Sequence, residues 1–214
     1  MTHVVVVIGG GDLTGRARRA AGELDDGALI VAADGGLDHA VEAGLAPSVL
    51  VGDLDSITAA GTMWAYAHEV EIERHPDDKD ATDTELALAR AAASGCTDLL
   101  VLGGAGDRLD HTLGTLVALG APPLGGFRTV RAMLGDSEVH TVHAGRVASL
   151  ALTVGTVFSL LPLHGACRGV TVTGARWPLD GADLPAGASL GVSNEAIDTV
   201  RISVGQGVLT VVLP

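Results

Sequence analysis

The chain has 214 residues, 47% of them hydrophobic, enough to build a substantial core without help from disulfides. Its 26 acidic residues against 13 basic ones leave a formal charge of -13, which argues against a surface made to hold nucleic acid or an anionic membrane face. The two cysteines, Cys96 and Cys167, are far apart and match no metal-ligand spacing, and no apolar run approaches the roughly 20 residues that cross a bilayer, so a cytoplasmic protein is expected.

The run from Met1 to Ile8 is apolar but has neither a basic leader nor a cleavage site, and Gly9-Gly10-Gly11 interrupts it, so it reads as a first strand. From there to about His143, short β-branched runs alternate with stretches rich in Ala and Leu, the pattern of an α/β domain with a largely parallel sheet. Strands are predicted at Val4-Ile8, Leu29-Ala33, Ser48-Val51, Val70-Arg74, Asp98-Leu102, Thr129-Leu134 and Glu138-Val142. Thr82-Asp83-Thr84-Glu85 fits a capping box, with Thr82 as N-cap, opening a helix that Gly95 is placed to end. After Gly145 the helical signal disappears. Runs at Leu150-Val154, Val157-Leu161, Gly169-Thr173, Ser189-Val192, Thr199-Val204 and Val208-Leu213 predict a small β-sandwich, so a boundary is expected near residue 145, with domains at 1–145 and 146–214.

Several predicted strands end in polar or glycine-rich turns, and in an open α/β sheet the carboxyl ends of the strands are where ligands bind. Ala33-Asp34-Gly35-Gly36 follows one strand, and Gly52-Asp53-Leu54-Asp55-Ser56 follows the next. Side chains two apart in extended chain point the same way, so Asp53 and Asp55 can converge on one cation; alternatively Asp55 or Ser56 caps the following helix. The third segment, His75 to Asp83, is dense in carboxylates and holds Lys79, the only lysine of the chain. A lysine can serve phosphate as a point charge, whereas acidic groups here can also stabilise the start of a helix. The fourth, Gly103-Gly104-Ala105-Gly106-Asp107-Arg108-Leu109-Asp110-His111, joins a glycine turn to a predicted helix, a setting in which backbone amides attract anions. It is not a Walker A loop, and neither glycine run has the spacing of a dinucleotide fingerprint. Arg108 and Asp110 can equally form a surface ion pair. Four such segments at one edge point to a polyphosphate held through magnesium.

These four segments, in this order, resemble the thiamine pyrophosphokinase family. The likeness continues through Phe158-Ser159-Leu160-Leu161-Pro162, Gly174-Ala175-Arg176-Trp177-Pro178-Leu179 and Gly191-Val192-Ser193-Asn194-Glu195. Asp107 and Gly114 depart from the family pattern, standing where glycine and asparagine are common.

The resemblance implies an ATP-dependent transferase that moves diphosphate onto the thiamine hydroxyl, with an amino-terminal catalytic α/β domain and a carboxyl-terminal thiamine-binding β-sandwich. It also implies a homodimer whose active site is shared between subunits. It places Asp53, Asp55, Asp83 and Lys79 in catalysis, and Asp53, Asp55, Asp83 and Asp110 at magnesium. Asp34, Gly35, Asp80, Gly104, Arg108 and His111 fall at the nucleotide, and Trp177, Thr171, Ser193 and Asn194 at thiamine. A tryptophan in a small sandwich is most often core, whereas the resemblance implies that Trp177 stacks on the pyrimidine ring. Two alternatives stand beside this: a pyrophosphokinase for another small alcohol such as a hydroxymethylpterin, and a non-catalytic thiamine or nucleotide sensor.

Overall fold

The computed structural model describes residues 2–104, 106 and 108–214; the family departure at Asp107 lies outside them. Two compact units emerge, one made of the residues up to 118 with 132–136, the other of residues 119–131 with 137–214.

The first unit alternates β1 (His3–Ile8), α1 (Gly15–Gly22), β2 (Leu29–Ala33), α2 (Gly36–Glu42), β3 (Val49–Gly52), α3 (Ala59–Ala67), β4 (Glu71–Arg74), α4 (Asp83–Ala92), β5 (Asp98–Gly103) and α5 (Leu109–Ala118). The five strands are parallel, in the order β5-β1-β2-β3-β4. Val4 to Ile8 in β1 and all of β5 are buried, as befits strands covered on both faces, and this is why Val4 to Ile8 and Leu99 to Leu102 read as unbroken apolar runs instead of alternating ones. The outer strand β4, Glu-Ile-Glu-Arg, carries charge along its open edge.

Chain order runs outward from β1 to β4 and then returns to the other flank of β1 for β5, which makes the β1/β5 crevice a topological switch point. Both glycine loops end there. A Cβ on Gly104 would strike the backbone carbonyl of Gly11, and one on Gly36, at the start of α2, would strike the carbonyl of Val7, so backbone approaches backbone at these two points. Apolar side chains from β1, β2 and β5 pack with Leu13, Ala17 and Ala21 of the α1 region, and Leu37, Leu50 and Ala65 form part of a second cluster.

Helix starts follow local chemistry. Thr82 and Glu85 form the reciprocal capping box of α4, the Thr82 hydroxyl accepting from the Glu85 amide and the Glu85 carboxylate accepting from the Thr82 amide. The cap of α3 is Thr58 and not Asp55 or Ser56; its hydroxyl accepts from the Gly61 amide at 3.0 Å and donates to Asp38 Oδ1 at 2.6 Å.

The second unit is antiparallel and β-rich. β6 (Thr129–Leu134) is divided between the units, and β7 (Ser137–His143), placed by its periodicity with the amino-terminal domain, pairs antiparallel with β13 (Val208–Leu213). β13 pairs with β9 (Val157–Leu161), β9 with β12 (Asn194–Ser203), and β12 with both β8 (Val147–Leu150) and β10 (Cys167–Ala175). β10 then pairs with β11 (Leu179–Leu184). Phe158, Leu160, Val170, Val172, Val200, Ile202, Leu209 and Val211 form the core of this unit.

Two details differ from the sequence expectation. β8 lies at Val147–Leu150, not over 150–154, and no strand forms over 189–192, where 190–193 make turns, while Leu-Asp-Gly-Ala-Asp-Leu makes β11. β11 buries only Leu184. It exists because β10 offers it backbone partners, which an apolar-periodicity reading cannot see.

Candidate active site

Three carboxylates from separate segments of the first unit converge. Asp34 follows β2, Asp53 follows β3, and Asp83 opens α4 just after the Thr82 cap; one ligand oxygen from each lies within 4.8 Å of the others. The parallel register of β2 and β3, with Ala33 beside Val51, sets the first two next to each other. Asp34 holds a left-handed backbone, φ 44°, and Gly52 reaches φ 150°, where an added Cβ would press on Asp83 Oδ1 at 3.0 Å and on the Asp34 side chain at 3.1 Å. Glycine at 52 therefore lets the β3 terminus pass between two carboxylates.

Lys79 reaches into this group. Its Nζ lies 2.6 Å from Asp53 Oδ2 and 2.9 Å from Asp83 Oδ1, with the three side chains only 13%, 12% and 24% exposed. The Lys79 hydrogen bond holds the Asp53 carboxyl below the usual carboxylate range. Burial opposes the Lys79 ammonium, but its bonds to Asp53 and Asp83 prevail and raise its pKa. Asp34 moves the other way: burial raises its pKa, and the charges of Asp83, Asp55 and Asp53 add to this against a hydrogen bond from Ser56. Buried Asp34 Oδ1 has no hydrogen-bond partner.

An oxygen-only set of carboxylates, one with an unused buried oxygen, suits a hard divalent cation such as magnesium. Asp34 was not in the sequence-derived metal set, although its position after an apolar strand, parallel to that of Asp53, carried the signal. Asp55 is exposed and accepts from the Ser56 hydroxyl at 2.8 Å. Asp110 sits in the first turn of α5, ion-paired with Arg108 at 2.6 Å, both about two-thirds exposed; neither aspartate belongs to the three-carboxylate group. Asp80 and His111 are exposed, and Gly35 lies between Asp34 and the start of α2.

In the second unit a cleft of about 290 Å³ is lined by Leu160, Trp177, Leu179 and residues 190–194. Trp177 is 54% exposed and so is not a core residue. The Arg176 guanidinium lies 5.0 Å from its ring centroid and also pairs with Glu195 at 3.2 Å. Asn194, buried, spends its amide on backbone: Oδ1 accepts from the amides of Trp177 and Glu195, and Nδ2 donates to the Trp177 carbonyl at 2.8 Å. It thus clamps the Trp177 turn, a role its motif did not reveal. Gly191 lies flat on β9, where a Cβ would strike Leu160, and Ser193, at φ 61°, donates its amide to Ser159 Oγ at 3.1 Å. Thr171 accepts from the Gly181 amide at 3.2 Å across the β10-β11 pair and is not among the cleft-lining residues.

Residues 21–122 match the family described as thiamin pyrophosphokinase, catalytic domain, and residues 140–209 match thiamin pyrophosphokinase, vitamin B1 binding domain. The thiamine pyrophosphokinase of Bacillus subtilis (strain 168) is 26% identical over 195 residues, 89% of each chain. Thiamine pyrophosphokinase 1 of Oryza sativa subsp. japonica is 27% identical over 174 residues, covering 73% of this chain and 62% of the relative. The crystal structure of the B. subtilis protein superposes with a TM-score of 0.82 at 24% identity, covering 99% of this chain and 98% of that one. Yeast thiamin pyrophosphokinase gives 0.72 at 15% identity, over 99% of this chain and 86% of that one. With both of its units matched in chain order, this chain belongs to the thiamin pyrophosphokinase family.

Proposed function

We propose that this enzyme transfers the terminal diphosphate of ATP to the hydroxyl of thiamine, giving thiamine diphosphate and AMP, with the Asp34, Asp53 and Asp83 group holding magnesium. The single observation that carries the metal assignment is the meeting of those three carboxylates from separate segments, one with an unpartnered buried oxygen. Asp34, Asp53 and Asp83 would hold the magnesium, which would supply positive charge to offset the negative charge that builds on the phosphates.

The rest of the work falls to the side chains. The thiamine oxygen attacks the β-phosphorus, its bond forming as the bond from that phosphorus to the α-β bridging oxygen breaks; AMP departs with that oxygen, and the hydroxyl proton passes to a carboxylate or to water. Lys79 supplies a positive point charge beside the carboxylates, where a triphosphate would lie. Arg108, which follows the glycine loop in the chain just before α5 and is ion-paired with Asp110 within it, is a second candidate cation for the nucleotide. Asp55, Asp80, Asp110 and His111 remain candidates for water-mediated contacts to metal or nucleotide. The Trp177 cleft suits an aromatic cation, because an exposed indole face attracts a thiazolium ring and stacks on a pyrimidine. Ser193 and Asn194 line the same cleft, Asn194 acting through Trp177, while Thr171, outside the lining, serves the β10-β11 pair through the Gly181 amide. The enzyme is proposed to work in the cytoplasm as a homodimer; among the described residues no helix is long and apolar enough to cross a membrane.

The test is AMP release from ATP, magnesium and thiamine, with product mass showing one added diphosphate. Hydroxymethylpterin as acceptor separates the nearest rival, and absence of ATP consumption with either acceptor supports a sensor. Asp53→Ala should abolish AMP formation while circular dichroism stays that of the parent; full activity in that variant would remove the metal role.

A further inference from the structure

The ammonium of Lys79 is hydrogen-bonded to Asp53 and ion-paired with Asp83, two of the three carboxylates that with Asp34 make up the candidate donor set for a cation. Formal charges give three negatives and one positive. A divalent ion drawing oxygens from all three aspartates would sit within a few ångströms of Nζ, and two cations at that separation in a half-buried group repel strongly. Lysine suits a role in which the charge must move: its ammonium is a compact charge on a four-carbon stem with rotatable bonds, and it makes no bidentate fork that would lock it to one carboxylate. Its carrier is the 75–82 loop, bends without regular structure between β4 and α4.

Resting on the reading that the three aspartates hold magnesium, we propose that Lys79 is an exchangeable counter-ion. It holds Asp53 and Asp83 together in the cation-free protein and is displaced by the divalent cation, which turns it toward the triphosphate. Metal loading then presents a lysine to the phosphates that was tied up before, so metal and polyphosphate favour each other's binding and do so reciprocally.

Because Lys79 is the only lysine of the chain, protein grown on lysine labelled with ¹³C at Cε gives a single side-chain methylene signal, readable without any turnover. Titrating the full chain with magnesium alone should move that signal from a position peculiar to the ion pair to that of a solvated lysine. In a second measurement, Lys79→Met should bind Mn²⁺ about tenfold more tightly than the parent in the absence of nucleotide, followed by the free-ion electron paramagnetic resonance signal. Arg90→Met makes the same charge change at a residue paired with Glu71 and Glu73, and should leave Mn²⁺ affinity within about twofold of the parent.

A lysine signal that stays fixed while Mn²⁺ binds and magnesium competes for it overturns the exchange and leaves the carboxylate site standing. So does a Lys79→Met affinity no tighter than that of Arg90→Met. Failure of both parent and Lys79→Met to bind Mn²⁺ at millimolar concentration overturns the exchange and the metal reading together. The lysine signal is read on the unsubstituted chain, so it decides the matter even if Lys79→Met does not fold.

Discussion

Replacing Asn194 with alanine should loosen the turn that presents Trp177. The side chain is 4% exposed and makes three hydrogen bonds, to the Trp177 amide at 3.2 Å, the Glu195 amide at 2.8 Å and the Trp177 carbonyl at 2.8 Å. A typical hydrogen bond contributes about 1 kcal/mol net, so losing three costs about 3 kcal/mol, a large share of the roughly 5–15 kcal/mol that separates a folded domain from its unfolded chain. The chain has two tryptophans, and with Trp64→Phe in both proteins the fluorescence reports on Trp177 alone. Urea unfolding should then shift its midpoint down by about 1–3 M, given slopes of about 1–3 kcal/mol per M. If the indole holds thiamine as proposed, the same loosening should raise the thiamine KM more than it lowers kcat, because a stacking contact away from the reacting phosphorus takes no part in bond breaking. Asn194→Asp keeps the two acceptor bonds but faces the Trp177 carbonyl with an oxygen, so it should not restore the parent. An Asn194→Ala protein that unfolds within about 0.5 kcal/mol of its parent, with an unchanged KM, would refute the clamp.

Other consequences are as concrete. Trp177→Ala should raise the thiamine KM about tenfold or more with little change in melting, since a half-exposed ring adds little to the core; loss of the fold would return the residue to a structural role. The Glu138 carboxyl is held down to about 2, foremost by the His140 hydrogen bond against the cost of burial, with Arg131 adding. Its depressed pKa stabilises the fold fully above about pH 4.5, and that contribution fades as pH falls through about 2. Glu138→Gln should therefore flatten the acid loss of stability over that window, by no more than about 3 kcal/mol, in urea midpoints taken at successive pH values. An equal slope in both proteins would remove the role of this group. Gly36→Ala forces a methyl onto the Val7 carbonyl and should destabilise by about 1–3 kcal/mol in thermal melts, whereas Gly114→Ala, with open space around its Cβ, should be neutral or stabilising.

Local order was legible wherever a segment's own chemistry settles its conformation. The Thr82-Glu85 box, the buried run of β1, and the matching strands at Thr129–Leu134, Val157–Leu161 and Val208–Leu213 all follow from side-chain pattern and short-range hydrogen bonding. That Asp53 would stand at a strand's carboxyl end was equally readable, because an apolar run stopped there. What the sequence could not decide was which distant groups meet. Asp34, Asp53 and Asp83 are brought together by parallel register and a glycine at φ 150°, Lys79 finds them from a loop without periodicity, and β11 exists only through its pairing with β10. Periodicity and capping act over a few residues of chain, whereas a group of three carboxylates, a clamp on Trp177 and an edge strand depend on contacts between segments far apart in sequence, and those exist only once the backbone has closed on itself.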